Sequence, residues 1–140
     1  MMRSLAIFIL FSSFCCLTSG QEIVSHRAIQ DLESRFANAE DVRWQKDRLG
    51  FQARFQYNNE DQKVRYSPSG YWLETITKIT SNGLSLNVKQ HLEDHYAGYE
   101  IRQVSMIETM GFFGFEVQVE LLSEIKTLLL SDNGLVAIEE

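Results

Sequence analysis

The chain has 140 residues, with 13 Lys and Arg against 19 Asp and Glu for a formal net charge of −6. That balance argues against nucleic acid and against an anionic membrane surface as partners, because both call for a basic footprint. The 2 cysteines, Cys15 and Cys16, fall within the first twenty residues, so the remainder can form no disulfide, thiolate zinc site or cysteine nucleophile.

Taken in order, the chain opens with "MMRSLAIFILFSSFCCLTSG". Arg3, an apolar run from Leu5 to Leu17 and a small-residue end make residues 1–20 a secretory signal, cut before Gln21. The run is too short for an ordinary membrane-spanning helix. Lipidation fits less well, since a lipobox wants a small residue before its cysteine and Phe14 or Cys15 stands there. Residues 21–140 are expected to form one domain, periplasmic or secreted and free of the membrane after cleavage. About 120 residues suffice for a single core. Charge is uneven along it: residues 21–80 carry nine basic and nine acidic side chains, residues 81–140 three and ten.

The mature sequence reads as the same unit written twice, about 22–80 and 81–140. In "SHRAIQDLESRFANAE", Ala28, Leu32 and Phe36 recur at helical spacing, and Ser25 is a candidate N-cap. "FQARFQY" alternates Phe51, Ala53, Phe55 and Tyr57 with polar residues, the pattern of a strand covered on one face. "NNED" is a hairpin turn, and "KVRYSPSGYW" is strand, Ser-led turn and strand. A second helix follows in "SLNVKQHLEDHYAGYE". Shifted by sixty, Ala28 falls on Val88, Leu32 on Leu92, Phe36 on Tyr96, and Asn38 on Gly98. Asn and Gly both suit a left-handed helix stop. "FEVQVEL" then repeats "FQARFQY", and "TLLLSDNGLV" repeats "KVRYSPSGYW", shifted by sixty-four. The changed offset implies a longer or bulged first strand in the second unit. Strands are expected near 41–47, 50–57, 62–67, 70–78, 100–109, 112–121, 124–131 and 134–139. The fold class is α+β: a tandem repeat of a helix plus a four-stranded antiparallel sheet, with one sheet face open.

"FANAEDVRWQKDRLGFQARFQ", "VRYSPSGYWLETITKI", "LSLNVKQHLEDHYAGYEIRQVSMIE" and "LLLSDNGLV" resemble the PepSY-like family of exported, β-lactamase-inhibitor-like bacterial proteins. The pattern runs from Phe36 and Val42-x-Trp44 through Phe51-x-Ala-x-Phe55 and Tyr66-x-x-x-Gly70 to Tyr96-x-Gly98-Tyr99-x-Ile101. Ser85 stands where the family often has Pro. The resemblance, over nearly all of 24–138, implies a fold similar to that of the β-lactamase inhibitory protein. It also implies action by binding, with no catalytic residue or cofactor. The wider PepSY group is associated with inhibiting or chaperoning secreted peptidases.

"HLEDH" places His91 and His95 four apart, the outline of a metal-peptidase motif with Asp94 in place of Glu. A third protein ligand is wanting. The positions matched in the first helix, Asp31 and Arg35, form an ordinary i,i+4 pair, so the histidines read as outer-face residues. No nucleophile elbow or phosphate loop occurs. Ser67 and Ser131 head turns, and Glu116 and Glu120 are alternating strand residues. Neighbouring aromatics in "YW" and "GFFG" must leave one of each pair exposed, and exposed aromatics beside Arg mark binding surfaces. The expectation is a non-enzymatic module that binds an exported protein, such as a peptidase or other hydrolase. Arg43, Arg54, Arg65, Tyr71, Trp72, Phe112 and Phe113 are its candidate surface, on the open sheet face and nearby turns. The alternatives are a small-ligand or peptide-binding sensor and, more remotely, a metal enzyme at His91 and His95.

Overall fold

The computed structural model describes residues 23–139, so the expected signal segment and its cysteines lie outside the described residues. The chain runs through α1 (His26–Arg35), β1 (Glu40–Asp47), β2 (Gly50–Tyr57), β3 (Glu60–Tyr66) and β4 (Trp72–Ile79). A 3-10 turn, Ser81–Gly83, leads into α2 (Leu86–His95), then β5 (Glu100–Thr109), β6 (Phe113–Leu121), β7 (Glu124–Ser131) and β8 (Val136–Glu139). The sequence patterns therefore locate both helices and all eight strands, with strand ends displaced by at most two residues, and leave out the 3-10 turn.

The two expected four-stranded sheets are in fact one. All eight strands form a single antiparallel sheet in chain order, joined where Glu74–Ile79 of β4 pairs with Val104–Thr109 of β5. The reason lies in the backbone. A four-stranded sheet ending at β4 would leave a row of unpaired donors and acceptors. β5 satisfies that row, and no sequence pattern announces such a pairing. The changed repeat offset has its counterpart in β5, ten residues long with a register shift between Ile101 and Gln103. β1 is bulged too, between Glu40 and Arg43.

Registry shows that both helices cover the same face. Residues directly opposite in an antiparallel ladder point the same way. Phe55 pairs with Gln62, Gln62 with Thr77, Thr77 with Met106, Met106 with Phe115 and Phe115 with Leu130. Under α1, Ala28 and Leu32 meet Ala53, Phe55, Val64 and Tyr66. Under α2, Val88 and Leu92 meet Val104, Phe115, Val117, Val119, Leu128 and Leu130. Each such side chain contributes about 1.5–3 kcal/mol by leaving water. Between the two cores lies a polar strip: Thr77 Oγ1 donates to Gln62 Oε1 at 2.6 Å, and Trp72 Nε1 donates to Thr75 Oγ1 at 2.9 Å. Those bonds satisfy buried groups that the gap between the helices would otherwise strand.

The turns are built alike. Gly70 and Gly134 donate to Ser67 O and Ser131 O, both at 2.9 Å, and take φ of 86° and 82°. The Ser67 and Ser131 hydroxyls bond within these turns, as their place in the sequence suggests. Each turn sits on a helix start: Ser25 Oγ donates to Ser69 O and Ser85 Oγ to Asp132 O. Ser25 holds the N-cap position of α1, but its side chain makes no cap bond, whereas Ser85 accepts from Val88 N. One expected stop differs. Gly98 takes φ of 87°, but Asn38 is not left-handed, although Ala39 N and Tyr99 N close equivalent turns on Phe36 O and Tyr96 O. An ordinary turn conformation suffices at Asn38, so its tolerance of the left-handed region goes unused.

Candidate binding surface on the uncovered sheet face

The face away from the helices carries the alternate strand residues. A groove of about 670 Å³ crosses it, lined by side chains that include Arg43, Arg54, Lys63, Lys78, Ser105 and Glu116. Arg43 lies opposite Arg54, and Arg54 opposite Lys63, which makes one transverse row of cations over β1–β3. Of the predicted arginines, Arg43 and Arg54 are exposed on this row. Arg65 is on the same face but is not available: it meets Glu74 at 3.0 Å and Asp47 at 3.3 Å. Its opposite neighbour on β4 is a carboxylate, so the charge is neutralised within the sheet.

The aromatic pairs split as alternation requires, but not all onto this face. Tyr71 is 60% exposed, with Arg27 stacked 4.3 Å over its ring. Trp72 is a correction. It is half-buried, opposite Tyr66 on the helix side, under the Arg35 guanidinium at 4.7 Å. The register shift between Arg65 and Tyr66 sets that facing. Phe113 is also on the helix side, opposite Glu108 and edge-on to Phe115, yet it stays 46% exposed. Phe112 is half-buried, its ring lying where a side chain at Gly114 would be. It shields a stretch of sheet that glycine leaves bare. Leu73 and Met110, at the same end of β4–β6 as Phe113, are exposed as well; sequence reading did not single them out, and for Leu73 the reason is that it is the extra residue of the β4 bulge.

His91 and His95 stack face to face, ring centroids 4.4 Å apart, and His95 Nδ1 lies 3.1 Å from His91 O. Stacked rings do not converge their lone pairs on one point. Among the described residues no group of three or more His, Cys, Asp or Glu could hold a metal ion. His91 is half-buried, with Nε2 enclosed and unbonded, and so is not on the outer side as its spacing suggested. Its counterpart Asp31 is likewise more than a surface partner of Arg35. It accepts from the buried Tyr66 hydroxyl at 2.9 Å. Burial, followed by that bond, pushes the Tyr66 phenol well above its ordinary range.

A second hollow, about 500 Å³, opens beside α2 between Leu84, Leu92, Tyr96, Tyr99, Ile101 and Val119. Its origin is visible in the other half. There Phe36 packs edge-on against Phe55 and Tyr57 at 4.9 and 5.2 Å and fills the space. Beside α2, Val119 and Leu121 stand at the matched positions. Nearby, the hydrogen bond from Lys126, then that from Tyr96, holds the Glu139 carboxyl below its usual range.

No helix among the described residues is long and apolar enough to cross a membrane. No protein-family model matches the chain, and no curated protein matches it. Solved structures do. A BLIP-like protein from Bacteroides fragilis superposes with a TM-score of 0.78 at 22% identity, over 86% of this chain and 88% of that one. A DUF2874 family protein from Bacteroides ovatus gives 0.77 at 18%, over 85% and 88%. A candidate periplasmic protein from Bacteroides eggerthii gives 0.78 at 16%, over 84% and 88%. The chain therefore shares the fold of these BLIP-like and DUF2874 proteins, over nearly its whole described length.

Proposed function

We propose that this is an exported, PepSY-like binding module, built as a duplicated unit, that engages another exported protein through its uncovered sheet face and performs no catalysis of its own. One observation carries the reading. An eight-stranded sheet covered by helices on one side presents a grooved, charged face on the other. Antiparallel sheets tolerate water on one face, but a groove of 670 Å³ with unpaired cations is more than solvation requires. The likeness of fold to a BLIP-like protein supports a binding role, and the candidate periplasmic relative supports export. A hydrolase or peptidase is the partner class we favour. Tyr71, Phe112 and the exposed Phe113 would border the contact, while Trp72 supports the sheet from behind.

The test is capture from envelope and secreted fractions with the wild-type chain, Gln103→Trp and His95→Ala. Gln103 is exposed on the groove and His95 is exposed on α2. A specific partner held by wild type and His95→Ala but lost by Gln103→Trp is the expected result. No specific partner, or equal capture by all three, refutes the reading.

The hollow beside α2 favours a second reading, a small apolar ligand. Val119→Phe would refill it as Phe55 fills its counterpart. Ligand-induced thermal shifts seen with wild type and abolished in Val119→Phe would support this reading; none in either would dismiss it.

A further inference from the structure

On strands of this sheet, cross-strand carboxylates neutralise cations. Arg65 meets Glu74 at 3.0 Å, Arg102 meets Glu120, and Lys126 meets Glu139 at 3.0 Å. Arg43, Arg54 and Lys63 break that habit. They face one another across β1, β2 and β3, and none has a carboxylate within ion-pair distance among the described residues. Like charges directly opposite on a sheet are destabilising. A row that opposes folding, inside a groove of about 670 Å³, is best explained by what it meets there. We infer that the Arg43–Arg54–Lys63 row is the docking site for an acidic segment, Asp- and Glu-rich, of a partner protein.

The inference rests on the open-face reading and names the chemistry of the partner. Three cations on adjacent strands span roughly 10 Å, room for two or three side-chain carboxylates. The surroundings select against other anions. Asp41, Asp61 and Glu116 line the same groove, with Asp61 accepting from the Gln56 amide. Lys78 stands with Asp61 and Glu116 beside the row and offsets part of their charge. A phosphate concentrates its charge at one point among these carboxylates, whereas the carboxylates of a segment spread along the row, one beside each cation. The net charge of −6 repels an extended polyanion. A short acidic segment meets the cations without lying over the whole molecule.

Fluorescence anisotropy with a labelled peptide of alternating Glu and Ser tests this, against the same peptide with Gln for Glu. The acidic peptide binds, the Gln peptide does not, and raising salt weakens binding because the contact is exposed. Arg43→Gln/Arg54→Gln/Lys63→Gln lowers affinity at least about tenfold, the equivalent of about 1.4 kcal/mol. Arg48→Gln, on the β1–β2 turn, leaves it unchanged. The row variant also melts at the same or a higher temperature, because relieving the repulsion does not harm the fold; a row with a purely structural role would melt lower. Unchanged affinity in the row variant, no binding of the acidic peptide, or its displacement by equimolar inorganic phosphate or heparin fragments overturns the inference. Loss of the natural partner with Gln103→Trp but not with the row variant leaves the open-face reading standing and this one refuted. Retention by both removes both.

Discussion

Single residues show where this fold stores stability and where it gives some up. Tyr66 is fully buried and spends its hydroxyl on Asp31, which also holds Arg35 at 2.7 Å. Tyr66→Phe should lower stability by about 0.5–1.5 kcal/mol in urea melts, the net worth of one such bond. The phenol also gives a pH signature. Its ionisation is raised from the ordinary value of 10.0, so its stabilising contribution is complete below that value and is lost as pH rises beyond it. Alkaline unfolding followed by tyrosinate absorbance should show one tyrosine titrating last, together with loss of structure, and Tyr66→Phe should abolish that late step. Leu122 is the opposite case. It is 94% exposed with φ of 50°, in the two-residue turn between β6 and β7, where Asn58 and Asn59 serve between β2 and β3. Both turns have positive φ at both central residues, which Asn tolerates and Leu does not. Leu122→Asn should stabilise the chain by about 0.5–1 kcal/mol in a chemical melt.

At the scale of elements, the joint between helix and sheet is the turn that ends in glycine. A side chain at Gly70 would meet Ala28 N at 2.9 Å, and one at Gly134 would meet Asn87 O at 2.8 Å. Neither contact can relax by moving a flexible side chain, and both backbones are left-handed. Gly70→Ala and Gly134→Ala should each cost about 1–3 kcal/mol and loosen the helix they touch. Hydrogen exchange would check this: faster exchange confined first to α1 for Gly70→Ala and to α2 for Gly134→Ala. Helix identity in the two halves came through the 3.6-residue spacing alone, because Ala28, Leu32, Val88 and Leu92 are all buried. The left-handed stop at Gly98 was legible for the same local reason. That Asn38 does without one was not, since its residue type permits either conformation.

For the whole molecule, the joining of β4 to β5 couples two cores that share no helix. Both tryptophans, Trp44 and Trp72, pack on the first core. Leu128 is fully buried in the second. Leu128→Ala should cost about 2–5 kcal/mol through the cavity it leaves. If the sheet unfolds as one unit, tryptophan fluorescence and far-UV circular dichroism will shift by the same amount in that variant. An unshifted fluorescence transition would show that the halves unfold separately.

Local chemistry made much of this legible from residues alone. Alternation in "FQARFQY" and "FEVQVEL" marked the strands and their covered face, and Ser67 with Gly70, like Ser131 with Gly134, marked the turns. These signals live within a few residues, where backbone sterics and side-chain period act directly. The candidate site was legible in part: Arg43 and Arg54 do stand exposed on the open face. Cross-strand registry, bulges and the eight-stranded join depend on residues far apart in the chain. Only the tertiary structure therefore decided that Arg65 is neutralised by Glu74 and Asp47, that the β4 bulge turns Trp72 to the helix side, and that Arg43, Arg54 and Lys63 fall into one unpaired row. A period of two says which face a residue takes. It does not say which charge lies opposite, and in a sheet that neighbour decides whether an arginine is free to bind.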